Sequence, residues 1–177
     1  MTESGFETLL SGGHPNSLGN TELVTSQVLD DKSLLPSLFA CYESHDPVVR
    51  LRTSSCLKRV CQQQPEWIYE HIQKLFDEIS QIDQASTKWT LAIVFGLLRD
   101  RFNKDELVAA VKIMKQNLFY PDWIVQNTTM QVLFEFIESD PTIKPWLKKD
   151  LESLAKSPWK SVAGRATKLL NILGERQ

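Results

Sequence analysis

Apolar side chains along this chain return every three or four residues from about residue 21 to residue 173. That interval places them on one face of an α-helix, with polar residues between them. Strand signals are poor: no stretch alternates apolar and polar residues for long, and no Asn-Gly pair marks a hairpin. The pattern predicts eight helical segments. The first runs from about Thr21 to Glu43, with a break expected near Leu35-Pro36, because proline starts helices more readily than it continues them. The second opens at "DPVVRLRTSSCLKRV", with Asp46 as the expected N-cap and Pro47 as the first helical residue. The others are "PEWIYEHIQKLFDEIS", "STKWTLAIVFGLLRDR", "KDELVAAVKIMKQNLF", "PDWIVQNTTMQVLFEFIES", "DPTIKPWLKKDLESLA" and "SPWKSVAGRATKLLNIL".

The segments repeat. Val49, Thr53 and Leu57 stand four apart on one face, as do Val125, Thr129 and Leu133, and again Val162, Ala166 and Leu170. The first two triads lie two strides of 38 residues apart, and the last follows after 37. A unit of about 38 residues therefore predicts a further copy near residue 87, where Thr87, Leu91 and Phe95 stand. Each of these helices follows another amphipathic helix after a short joint. Such pairs cannot bury their apolar stripes alone and stack on their neighbours. The expected fold is all-α: an α-α superhelix of about four stacked helix pairs over residues 20–177, with residues 1–19 as a glycine-rich N-terminal cap or arm.

On these residues the chain resembles the HEAT/armadillo-type helical repeats. "DPVVRLRTSSCLKRV" carries the match through Asp46, Pro47, Val49, Arg50, the small Thr53 and Leu57. "YPDWIVQNTTMQVL" departs from it with Gln126 in place of the arginine, and "SPWKSVAGRATKLL" moves the arginine to Arg165. The whole chain also resembles a group of small bacterial HEAT-like proteins of unassigned function. The resemblance implies a solenoid whose second helices line a concave face; it implies no reaction.

The stretch "SGGHPNSLGNTEL" stands apart. Four of the seven glycines (Gly5, Gly12, Gly13, Gly19) precede residue 20. Glycines here permit backbone conformations closed to other residues, and Ser17, Asn20 or Thr21 can cap the helix that follows. A glycine-rich loop feeding a helix N-terminus suits an anion, and His14 adds a proton-dependent contact. Neither GxxxxGK[ST] nor GxGxxG occurs. Three readings stand for this stretch: a polar cover over the end of the solenoid, a ligand-contacting loop, or an unstructured leader. The solenoid reading favours the cover.

Composition excludes several classes. The chain has 177 residues, 42% of them hydrophobic and 24% charged, with a formal charge of −2, so nothing pulls it globally toward nucleic acid or anionic lipid. No apolar run approaches a membrane span, and the acidic, glycine-bearing start does not read as a secretory leader. Cys41, Cys56 and Cys61 form no CxxC and are expected as reduced thiols of a cytoplasmic protein. His14, His45 and His71 are scattered, so no metal, no cofactor and no catalytic residue is expected.

The second helices carry eleven positive against four negative residues, although the chain as a whole is acidic. A basic concave row would draw acidic partners. Trp89, Trp123 and Trp159 stand near the starts of these helices and could anchor a ligand there, whereas Trp67 and Trp146 read as packing residues. The expected activity is a non-enzymatic scaffold that binds a protein or peptide of acidic character. Arg52, Lys88, Trp89, Trp123, Asn127, Lys160 and Arg165 are the expected contacts, with His14 and Asn16 at one end. The alternative is nucleic-acid binding, related in fold to DNA alkylation-repair glycosylases, with Trp89, Trp123, Asp122 and Arg165 supplying the residue types; the isoelectric point near 5.9 weighs against it. No membrane association is expected, and the chain is expected to be a monomer or a weak dimer.

Overall fold

The computed structural model describes residues 4–14 and 17–175. In chain order these form α1 (Ser4–Leu10), α2 (Thr21–Asp30), α3 (Leu35–Ala40), α4 (Pro47–Gln63), α5 (Pro65–Tyr69), α6 (Ile72–Asp77), α7 (Ala85–Leu98), α8 (Lys104–Asn117), α9 (Trp123–Phe136), α10 (Ile143–Leu154) and α11 (Lys160–Glu175). Single 3₁₀ turns cover Lys32–Leu34, Cys41–Glu43, Ile79–Gln81 and Arg99–Arg101. No strand occurs among the described residues.

Helices α4, α8 and α9 begin where a side chain satisfies the first free amides. Asp46 accepts from Val48 N at 2.8 Å, and Pro47 follows at the first helical position. Asp122 accepts from Ile124 N and Val125 N at 2.8 and 3.0 Å. Asn103 and Glu106 form a reciprocal capping box at the start of α8. The break expected in the first segment falls at Asp31 rather than near Leu35-Pro36, and one segment expected as continuous is interrupted. Asp31 turns extended after α2, with φ −140°, and its carboxylate caps the 3₁₀ turn through Ser33 N. The second break falls at Glu70 and His71, between α5 and α6. Helix α1, by contrast, lies where only a cap or arm was expected.

The chain divides into two compact units, Met1–Leu97 and Leu98–Gln177. Helix α1 and the glycine-rich loop belong to the first of these units. In the first unit α4 packs against α1, α2, α3 and α5, and the Phe76 and Phe95 rings meet at 5.4 Å between centroids. In the second, α9 packs against α8, α10 and α11, and α10 packs against α11.

The repeated triads lie in these interiors. Val49, Thr53 and Leu57 are buried, as are Thr87, Leu91 and Phe95, and Val125, Thr129 and Leu133. In α11 the register drifts: Val162, Ala166, Leu169 and Leu173 are buried, and Leu170 is only half-buried. A strict four-residue step slips around a 3.6-residue turn, so a helix this long shifts to a three-residue step to keep its stripe inward. The middle position is small in three copies (Thr53, Thr129, Ala166) and is the larger Leu91 in the copy near residue 87. The Thr53 hydroxyl is satisfied by Val49 O at 2.8 Å, whereas the Thr87 and Thr129 hydroxyls are buried without a partner among the described residues.

Asp46→Ala removes a cap hydrogen bond from the longest helix and is expected to lower stability by about 1 kcal/mol, measured by urea unfolding.

Candidate functional site

Arg52 projects from the middle of α4 and is 2% exposed. All of its donor nitrogens are taken by the glycine-rich stretch. Nη1 donates to Leu10 O at 2.7 Å, Gly12 O at 2.7 Å and Ser11 O at 3.2 Å. Nη2 donates to His14 O and to Ser17 Oγ, both at 3.2 Å, and Nε donates to Ser17 O at 3.3 Å. No carboxylate pairs with the guanidinium among the described residues. Its charge is balanced by carbonyl dipoles, three of them at and just beyond the C-terminal end of α1, where helix carbonyls lack partners.

The glycines make this cage buildable. Gly12, Gly13 and Gly19 have φ of +67°, +70° and +50°. A Cβ on Gly19 would stand 2.8 Å from Arg52 Cζ, so the backbone lies directly against the guanidinium. The stretch is thus a structural cover held by one arginine. Arg52, expected among the ligand contacts, is buried and committed internally. His14 enters the cage through its backbone carbonyl, and its side chain is exposed. Asn16 lies outside the described residues.

Each unit carries an open cleft that takes in residues singled out above. The first, about 280 Å³, has walls from the loop and from α2, α4 and α7; Ser17, Leu18, Ser55, Lys58, Trp89 and Thr90 line it beside Arg52. It takes in Trp89 but not its neighbour Lys88, which is half-buried on α7.

The second cleft, about 530 Å³, lies along α9 and α11. Four expected residues, Trp123, Asn127, Lys160 and Arg165, meet there. Two rungs tie the helices together: Asn127 Nδ2 donates to Ser161 Oγ at 3.3 Å, and Arg165 Nη1 donates to Gln131 Oε1 at 3.0 Å. Asn127 Oδ1 is buried without a partner. Lys160, Arg165 and Lys168 are exposed and have no ion-pair partner among the described residues, and no carboxylate lines the cleft. The Trp123 ring is 47% exposed. Gly164 adds room, since a Cβ there would meet nothing within 4 Å.

Helical spacing was the signal that could have found the remaining lining residues. Gln131 follows Asn127 by four, and Lys168 follows Arg165 by three, so each shares a face with a neighbour already singled out. The basic row of second helices is shorter than its charge count. Besides Arg52, Arg50 Nε is bound to Gln84 Oε1 at 2.8 Å and Arg99 Nη1 to Glu135 O at 3.1 Å. Of the two tryptophans read as packing residues, Trp146 carries the Lys115 ammonium 4.3 Å from its ring centroid, and Trp67 the Lys32 ammonium at 5.8 Å.

All three cysteines are free and buried. Burial pushes the Cys41 thiol up to about 11, reinforced by Glu7 and opposed by a hydrogen bond from Thr53. Burial likewise pushes Cys56 up to about 11, against a hydrogen bond with Thr25. Neither thiol supplies a thiolate at neutral pH. Among the described residues no group of three or more His, Cys, Asp or Glu could hold a metal ion, and no helix is long and apolar enough to cross a membrane.

No protein-family model matches the chain, and no curated protein matches it at a significant level. Among solved structures it is similar to the crystal structure of an engineered protein, a target of the Northeast Structural Genomics Consortium, at 14% identity and a TM-score of 0.66, over 96% of this chain and 80% of that one. At this identity the likeness concerns the fold alone: helices packed on helices.

Two outcomes follow from the cage and from the buried thiols. Arg52→Met leaves several carbonyls unsatisfied and is expected to cost about 2 kcal/mol or more, with α1 amides losing exchange protection first; Gly19→Ala, which displaces the same guanidinium, should reproduce that pattern. An aromatic disulfide reagent at pH 8 is expected to label the native protein far more slowly than the urea-unfolded chain, which should titrate as three thiols.

Proposed function

We propose that this protein is a helical-repeat solenoid of the HEAT/armadillo kind acting as a non-enzymatic scaffold, and that it binds an acidic peptide segment in the cleft along α9 and α11. One observation carries the reading: Lys160, Arg165 and Lys168 face a polar cleft that holds no carboxylate, so their charge is left for a partner. The buried triads at intervals near 38 residues support the repeat. Asn127 is held by Ser161, and Gln131 by Arg165 and Glu135, so the polar floor of the cleft is fixed in place before a partner arrives. Trp123 offers a large, stiff apolar face for a side chain between the acidic ones. Three cations on a chain of net charge −2 are few for tracking a phosphate backbone, so a peptide fits better than nucleic acid.

Fluorescence anisotropy with labelled Glu/Asp-rich dodecapeptides, some carrying one aromatic residue, tests this. Wild type is expected to bind more weakly as salt rises. Lys160→Glu with Arg165→Glu should weaken binding at least about tenfold, and Gly164→Leu, which fills the cleft without changing charge, should do the same. A labelled single-stranded oligonucleotide that bound more tightly than every peptide would transfer the cleft to nucleic acid. Failure of both probes at low salt would remove the reading.

A further inference from the structure

The cleft of the first unit is chemically unlike the one along α9 and α11. It is smaller, about 280 Å³, just below the range that accommodates drug-sized ligands. Its walls come from three directions: Ser17 and Leu18 from the loop, Ser55 and Lys58 from α4, and Trp89 and Thr90 from α7. Two positive charges border it and no carboxylate does. The Arg52 guanidinium has no N–H left to give, but its charge is unpaired by any anion in a buried setting, where a charge acts over a longer range than in water. Lys58 is half-buried on the next turn but one of the same helix and has no ion-pair partner among the described residues, so its ammonium has donors free. Ser55 and Thr90 make no side-chain hydrogen bond among the described residues, and Thr90 is 2% exposed. Each hydroxyl can donate to a bound acceptor. Opposite these polar groups stand apolar and aromatic faces: Trp89, half-buried, and Leu18, 49% exposed although large and apolar.

We infer that this cleft is a second, separate site, which binds a small aromatic oxyanion: a carboxylate or phosphate monoester carried on one planar ring system. Lys58 donates to the anion, with the Ser55 and Thr90 hydroxyls beside it, and the fixed charge of Arg52 adds attraction without a bond. The ring lies against Trp89 and Leu18, which a bare anion would leave exposed. The glycine-rich stretch thus has two duties: it neutralises Arg52 with its carbonyls and supplies one wall of the cleft through Ser17 and Leu18. The inference is independent of the acidic-peptide reading, since the two clefts share no residue.

Titration of isotopically labelled protein with phenyl phosphate, benzoate, inorganic phosphate and benzyl alcohol tests it, read by the Trp89 indole N–H and the Ser55 and Thr90 amide resonances. Phenyl phosphate or benzoate is expected to give saturable shifts with Kd of about 1 mM or below, and whichever is tighter identifies the anion. Inorganic phosphate and benzyl alcohol should each bind at least about tenfold more weakly, because each has half of the complement. Lys58→Met is expected to weaken the aromatic anion at least about tenfold and Trp89→Leu comparably, with thermal melts confirming the fold. Should Trp89→Leu not fold, Lys58→Met, which changes a half-buried side chain, decides alone. Lys160→Glu with Arg165→Glu should leave these shifts unchanged, so failure of the peptide reading and failure of this one are distinguishable. The inference is overturned if neither aromatic anion gives saturable shifts by about 10 mM, if Lys58→Met binds as wild type, or if benzyl alcohol matches phenyl phosphate.

Discussion

A guanidinium carries a full charge and five N–H groups, and burying it is unfavourable unless each donor finds an acceptor. Arg52 finds them without any acidic residue, in carbonyls from Leu10 to Ser17. The arrangement works in both directions. The carbonyls that follow α1 need donors, and the arginine needs acceptors. The first unit depends on that exchange, because it fixes the end of α1, the path of the loop into α2 and one wall of the adjoining cleft. It also explains why the glycines are there: positive φ and a backbone in contact with a guanidinium are demands that side chains obstruct.

The second unit is organised by side-chain rungs. Asn127 to Ser161 and Gln131 to Arg165 link α9 with α11 across a cleft where water would otherwise take those bonds. Using an amide as the partner of Arg165 has an electrical consequence. A carboxylate there would neutralise the charge, whereas Gln131 orients the guanidinium and leaves its charge in the cleft. With Lys160 and Lys168 on the same helix, a chain acidic in total presents a local positive surface.

The two clefts present positive charge in different ways. Along α9 and α11 the cations are solvated and spaced along a helix, which suits several weak, salt-sensitive contacts to an extended partner. Beside the glycine-rich loop one cation is buried and immobile and one is free to donate. That suits a compact ligand held more by fit than by charge count. Cys41 and Cys56 contribute to neither, since their thiols are held protonated by the apolar interior.

The sequence by itself determined the helices. Apolar spacing, Asp46 with Pro47, and Asp122 set helix starts through short-range rules that need no distant partner, and the 38-residue stride placed Val49, Thr87 and Val125 in the interior of their units. It also singled out the four residues that meet along α9 and α11, through the tryptophan at a helix start and the polar and basic residues of the second helices. The place of the first break, at Asp31 rather than Leu35-Pro36, the break at Glu70–His71, the register shift at Leu169 and the fate of Arg52 were left to the tertiary structure. An arginine on a helix reads as an exposed cation until the fold shows which carbonyls surround it, and here they lie 35 to 42 residues away in the chain. A cation's role depends on what stands within hydrogen-bond reach in space, and helical periodicity carries no information about that distance.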